Sequence, residues 1–308
     1  LGGTYFLDVY LTEVHPHLDE VRRALDEGTL PYWSSALLLG YPLAANPQVG
    51  ALYLPHLLLL WFGFDAHQTL AISAWLHALL GGLGALGLAR RVGASGPGAA
   101  AAGLVYGCAP FVVFYHQATH GLIALGVLPW IVRAGLELGR GDRPGRWFAF
   151  GALFTALGLY GGHLQIVMYA VAAAGLAALL EAPRGARVRP ALRVLGFTAT
   201  ALCLYGPQLV PAAELWQYSL RRALSPGDVV AGLDLESLGL DDAVEALLPR
   251  FFGGPSRNDF WYPEFLGLPV LFATGACLWV KDRGARVFGA LLALAVTVLI
   301  LVRIPGLG

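Results

Sequence analysis

Charge is scarce in this chain. Only 13% of its 308 residues are Asp, Glu, Lys or Arg, while 57% are hydrophobic and the mean hydropathy is +0.63. An ordinary soluble domain carries about 25% charged residues, so the composition reads as an integral membrane protein, with membrane lipids as its surroundings and no nucleic acid among its partners. Cysteine is nearly as rare. Cys108, Cys203 and Cys277 lie in apolar runs without CxxC spacing, which excludes a disulfide framework and a zinc site and predicts small buried packing residues. Nucleotide motifs are missing as well. The cluster Gly81-Gly82, Gly84 and Gly87 has no strand before it, so it reads as helix packing rather than a phosphate cradle. There is no signal-peptide pattern. The start, Leu1-Gly2-Gly3-Thr4, and the end, Pro305-Gly306-Leu307-Gly308, both read as cut, and an incomplete chain is expected.

What the chain has is oil in long stretches. A spanning helix needs about 20 mostly apolar residues. Candidates run over 69–89, 98–115, 121–138, 147–161, 163–180, 191–213, 263–280 and 287–302. The segment 51–64 is apolar but short, interrupted by Pro55 and His56, and suits an interfacial or re-entrant helix. The expected fold class is all-α: a polytopic membrane protein of about eight spans with a helical first outer loop. Its parts are an outer loop over 1–67, a helix bundle over 68–213, a second long outer loop over 214–262, and C-terminal spans over 263–308. Arginines sit in every second short loop: Arg90-Arg91, then Arg140, Arg143 and Arg146, then Arg184, Arg187, Arg189 and Arg193, then Arg283 and Arg286 with Lys281. The positive-inside rule makes those loops cytoplasmic. All but four of the acids (Glu137, Asp142, Glu181, Asp282) and every histidine except His77 then fall outside.

The polar groups that remain are the candidates for chemistry. Asp8, with Glu13 five residues on, is a carboxylate at the membrane interface, suited to act as a general base or to position a divalent cation, Mg or Mn; a solvated loop acid is the bland alternative. Asp19, Glu20, Asp26 and Glu27 read as the wet face of an amphipathic helix. His15 and His17 flank Pro16 and point to different sides, so hydrogen bonds to a phosphate or sugar hydroxyl fit them better than zinc. His116 and His120 have i, i+4 spacing but lie in a predicted turn. His163 and Gln165 open a helix at the outer end of two spans. Trp33, Asn46, Gln48, Gln208, Glu214 and Glu264 complete the polar set, and Arg221 or Arg222 would either fork a lipid phosphate or snorkel at the interface. No metal ligands are assigned.

Taken in order, several stretches resemble the YfhO-like bacterial membrane proteins, placed with the GT-C glycosyltransferases. They are the early Asp8, G-x-L-P-x-W over 28–33, G-Y-P-L-x-A-N-P-Q over 40–48, and G-G-H-x-Q over 161–165. P-Q-L-x-P-x-x-E-L over 207–215 follows, with Ser219 and Arg221, then P-x-F-F-G over 249–253 and E-x-L-G-L-P over 264–269. The resemblance implies a GT-C-like fold in the bacterial cytoplasmic membrane, with Asp8 as the catalytic base on the extracytoplasmic side. It implies transfer of a sugar from a polyprenyl-phosphate carrier to an acceptor. Ser34 stands where members often carry Asn after the Trp, and the family's first helix and C-terminal region are absent. A lipid or sugar transporter or flippase, and a non-catalytic membrane subunit of a larger complex, are the alternatives.

Overall fold

The computed structural model describes residues 10–109, 112, 118–183 and 185–219. All belong to one compact unit within residues 1–219. Among the described residues the regular structure is helical, and the one β-bridge pairs Ser34 with Tyr41. The expected spans over 263–280 and 287–302 lie outside them.

A π-helical turn, Tyr10–Val14, leads into α1, His15–Asp26. Pro16 sits in the first turn, where its missing N–H is no loss. Leu18, Val21 and Ala24 recur on one face and are buried, while Asp19 and Asp26 face out. Glu20 departs from the expected wet face. It turns inward to take hydrogen bonds from Arg23 (2.7 Å) and from the Ser34 hydroxyl, fastening α1 to the 34–41 loop. Two 3-10 turns, Leu43–Ala45 and Pro47–Val49, precede α2, Leu54–Trp61. Eight residues of helix reach about 12 Å against a hydrocarbon core of about 30 Å, so α2 fits the interfacial expectation. Tyr10, Leu18, Val21, Leu43, Leu60, Ala66 and Leu70 make one buried cluster that ties this head to the start of the next helix.

That helix, α3, is Ala66–Arg91, opened by a reciprocal capping box between Asp65 and Gln68. Then come α4 (Gly96–Gly107), α5 (Thr119–Arg140), α6 (Pro144–Tyr160), α7 (Leu164–Glu181), α8 (Val188–Leu204) and α9 (Gly206–Gln217). Three of them, α3, α5 and α7, are long and apolar enough to cross a membrane, and a fourth span exists if α8 and α9 are one broken helix. This is fewer than the sequence reading assigned to the same stretch, for three separate reasons. Within the expected span 98–115, α4 ends at Gly107, and residues 110–111 and 113–115 lie outside the described residues. The 147–161 candidate is a 17-residue helix, at the short edge of spanning length. The 191–213 candidate bends by 78° between α8 and α9, where Gly206-Pro207 follows Tyr205 and proline removes a backbone donor.

At the centre stands α5. Its most apolar window is 78% buried, against 39% for α3 and 28% for α7, and it packs on α3, α6, α7 and α8. Small residues make these contacts close. A Cβ on Gly135 would lie 2.1 Å from the Ala174 carbonyl oxygen, and one on Gly139 would lie 2.6 Å from that of Ala178. The four-residue step Gly135–Gly139 on α5 thus lies against Ala174–Ala178 on α7. Gly82 and Gly103 meet in the same way between α3 and α4, and a Cβ on Gly84 would strike Trp130, which bears out the packing reading of the glycine cluster. Cys108 and Cys203, by contrast, are exposed rather than buried; on apolar helices they lie on the outward face of the bundle.

The two ends of the bundle differ. At one, Arg91 grips Glu137 with two bonds of 2.7 and 2.9 Å, and Arg140 bonds Glu181 at 2.7 Å and the Arg91 carbonyl at 3.2 Å. This ties the C-termini of α3, α5 and α7 into one charged lattice. The opposite end carries the head and the histidines.

Candidate functional site

Three of the segments singled out in the sequence meet at the histidine end. Gly162 has φ +98, and a Cβ on it would lie 2.2 Å from the Pro47 carbonyl oxygen. Only glycine satisfies both the left-handed backbone and that approach. Gly161-Gly162 therefore seats the start of α7 directly on the Asn46-Pro47-Gln48 turn, whose Gly50 is also left-handed at φ +60 and lies against the Tyr160 carbonyl. The third segment, 207–215, is the body of α9 and packs on the 3-10 turn Leu43–Ala45.

Between α1, this turn and the first residues of α5 lies a narrow cleft. Glu13, His17, Gln48 and His120 supply its polar lining, with Val14 and Val49 as walls. The open space is about 20 Å³, room for a water or one hydroxyl. His17 is oriented by two contacts: Nδ1 donates to the Glu13 carbonyl, and the ring lies 5.0 Å from Tyr41. His120 stacks on His163 with ring centroids 5.7 Å apart and planes 24° from parallel. His163 caps α7, and burial pushes its imidazole below the usual histidine range, so it is neutral at pH 7.

The remaining candidates are dispersed. His15 pairs with Asp19 at 3.0 Å on the outer side of α1, away from the cleft. Asn46 holds its own turn together, its amide donating to Tyr41 at 2.6 Å and its oxygen accepting from the Gln48 N–H at 3.0 Å. Trp33 is exposed and lies over Gly40, where an added Cβ would meet its ring at 2.6 Å. Gln165 is exposed and donates to Tyr169 at 2.6 Å, and Glu214 is exposed on α9. Gln208, inside the expected span 191–213, is fully buried in α9, its amide without a hydrogen-bond partner. Asp8, His116, Arg221, Arg222 and Glu264 lie outside the described residues. Among the described residues no group of three or more metal-ligating side chains converges; Glu13 is the carboxylate in the cleft lining.

One group escaped the sequence reading. Below the cleft, Tyr53 donates to His77 Nε2 (2.6 Å), His77 Nδ1 donates to the Ser73 carbonyl (2.6 Å), and the Ser73 hydroxyl meets His56 Nε2 (2.8 Å). All four side chains are buried. The i, i+4 pair Ser73–His77 inside an apolar helix was the available signal, and it signals a partner on another element, here Tyr53 and His56. Burial, aided by nearby His77, pulls His56 down to about 3. No protein-family model matches this chain, and no curated protein or solved structure matches it either.

Proposed function

We propose that the chain is the catalytic portion of a GT-C-type membrane glycosyltransferase. It moves a sugar from a polyprenyl-phosphate carrier to an acceptor on the outer face of the bacterial cytoplasmic membrane. The observation that carries this reading is the convergence of 40–48, 161–165 and 207–215 at the histidine end of an apolar bundle, beside a cleft lined by Glu13, His17, Gln48 and His120. These are three of the segments that carry the resemblance, and sequence separation alone would not bring them together.

In this mechanism Asp8 takes the proton of the acceptor hydroxyl as its oxygen attacks the anomeric carbon. The bond from that carbon to the carrier phosphate breaks, and its electrons leave with the lipid phosphate. Arg221 and Arg222 have the forked guanidinium chemistry that suits a departing phosphate charge. Glu13, His17 and Gln48 take one polar group of a larger substrate lying across the cleft mouth, since the cleft is too small for a sugar ring. A divalent cation, Mg or Mn, would add charge neutralisation at the phosphate. The test is Asp8→Asn in the protein reconstituted with a polyprenyl-phosphate sugar. Transfer falls at least about 100-fold if Asp8 is the base; undiminished transfer rejects the role.

A second reading, a lipid or sugar transporter, is favoured by one observation: Ser73 and His77 place strongly polar groups inside α3, as transporters do near mid-membrane. Substrate flux in proteoliposomes that survives Asp8→Asn would select it.

A further inference from the structure

The cleft has a deep end. A second void shares Val14, Gln48, Val49 and His120 with it and continues inward to Thr119 and His56. Three buried polar atoms on its lining residues have no hydrogen-bond partner: His56 Nδ1, Thr119 Oγ1 and His120 Nδ1. A buried polar atom left so is destabilising, and three around one void point to a shared occupant. The open space is about 10 Å³, the size of one water and no more.

The buried chain fixes what that occupant must be. His77 Nδ1 faces the Ser73 carbonyl at 2.6 Å, which only accepts, so Nδ1 carries the His77 proton and Nε2 accepts from Tyr53. Ser73 Oγ has two partners, His77 Nδ1 at 3.2 Å and His56 Nε2 at 2.8 Å. The first is a donor and the hydroxyl has no other acceptor beside it, so its proton goes to His56 Nε2. A neutral His56 then carries its own proton on Nδ1, the atom that has no protein partner.

We propose that Tyr53, His77 and Ser73 lock His56 as an Nδ1–H donor toward the deep end of the cleft, where one water accepts that proton and donates to His120 Nδ1, leaving His120 with its proton on Nε2. Thr119 completes the water's shell. His56 is thereby a positioning residue: it acts through the water on His120, the histidine that lines both voids. This rests on the cleft being the functional site, but its test requires no transferase assay.

Nitrogen-15 NMR of histidine-labelled protein at pH 7 reads the tautomers directly. The expected result is His56 protonated on Nδ1 and His120 on Nε2. Ser73→Ala shifts His56 toward the Nε2–H form and Ser73→Thr restores it. An Nε2-protonated His56 in the unaltered protein, or a His56 signal indifferent to Ser73→Ala, overturns the proposal. Thr119→Val tests the water separately. With a water in place the loss of its partner lowers Tm by about 2–4 °C; a Tm that rises instead shows a dry void and a hydroxyl that was a burden. If the tautomers hold while Asp8→Asn transfer is undiminished, the proposed function fails and the locked histidine stands.

Discussion

Replacing Gly135 by alanine tests whether the seam between α5 and α7 holds the histidine end in shape. The new Cβ would sit 2.1 Å from the Ala174 carbonyl oxygen and 2.6 Å from that residue's carbonyl carbon and Cα. Ordinary carbon–oxygen contact begins near 3.4 Å, and every clashing atom is backbone, so no rotamer change relieves it. The helices must separate by about 1 Å or more, which also strips Gly139 from Ala178 one turn on. Overpacking of this kind costs about 1–3 kcal/mol, or about 2–12 °C in Tm for a chain of this size. The effect extends along the helices: His120 opens α5 and His163 caps α7, so the 5.7 Å ring stack depends on the same spacing. Gly175→Ala is the internal control, because its Cβ meets nothing within 4 Å and the better helix former adds about 0.5–1 kcal/mol. Thermal unfolding of both variants in the same detergent, read alongside the His120 and His163 signals, decides the matter. If Gly135→Ala is as stable as Gly175→Ala with the ring stack unchanged, the close-packed seam is refuted.

Acid should unfold the head through His56. Its imidazole is held at about 3 while an unfolded histidine titrates near 6.5, so the unfolded state binds the extra proton and stability falls as pH drops from about 6.5 toward 3. The loss at pH 5 is about 2 kcal/mol, and a His56→Gln variant flattens the Tm profile over that window; an unchanged profile contradicts the burial argument. Arg91→Ala removes the two-bond partner of the buried Glu137 carboxylate and leaves it only Arg133 at 3.8 Å, a loss below the roughly 3–5 kcal/mol of a fully stranded buried charge, while adding Glu137→Gln recovers part of the loss, both measured as Tm. Ser34→Ala removes the hydroxyl that bonds Glu20 and the Ala36 and Leu37 N–H groups; proteolysis within 35–40 accelerates, whereas unchanged cleavage would show the loop needs no such anchor.

The long apolar helices were legible because hydropathy is a local property. Ala66–Arg91, Thr119–Arg140 and Leu164–Glu181 declare themselves by apolar length alone. Their arrangement did not. Mean hydropathy is 1.6 for both α3 and α5, yet one is 39% buried and the other 78%, since lipid and protein neighbours ask for the same apolar side chains. Helix breaks were misjudged where a single backbone event decides them, as at Tyr205-Gly206. At the site, Gly162 and Pro47 were each visible within a motif, but their contact depends on a turn geometry that no spacing reveals. Tyr53, His56, Ser73 and His77 were hidden for the opposite reason: the histidines stood out singly in apolar runs, and only the fold pairs the four.

The burial of α5 also bears on how the protein is made. Thr119–Arg140 leaves the ribosome before Leu164–Glu181 does, so its bare glycine notches at 135 and 139 must wait without the alanine ridge that fills them. Biogenesis of this bundle therefore has an obligate late step, the docking of α7, and a nascent chain stopped short of residue 181 would expose a groove built for a neighbour not yet synthesised.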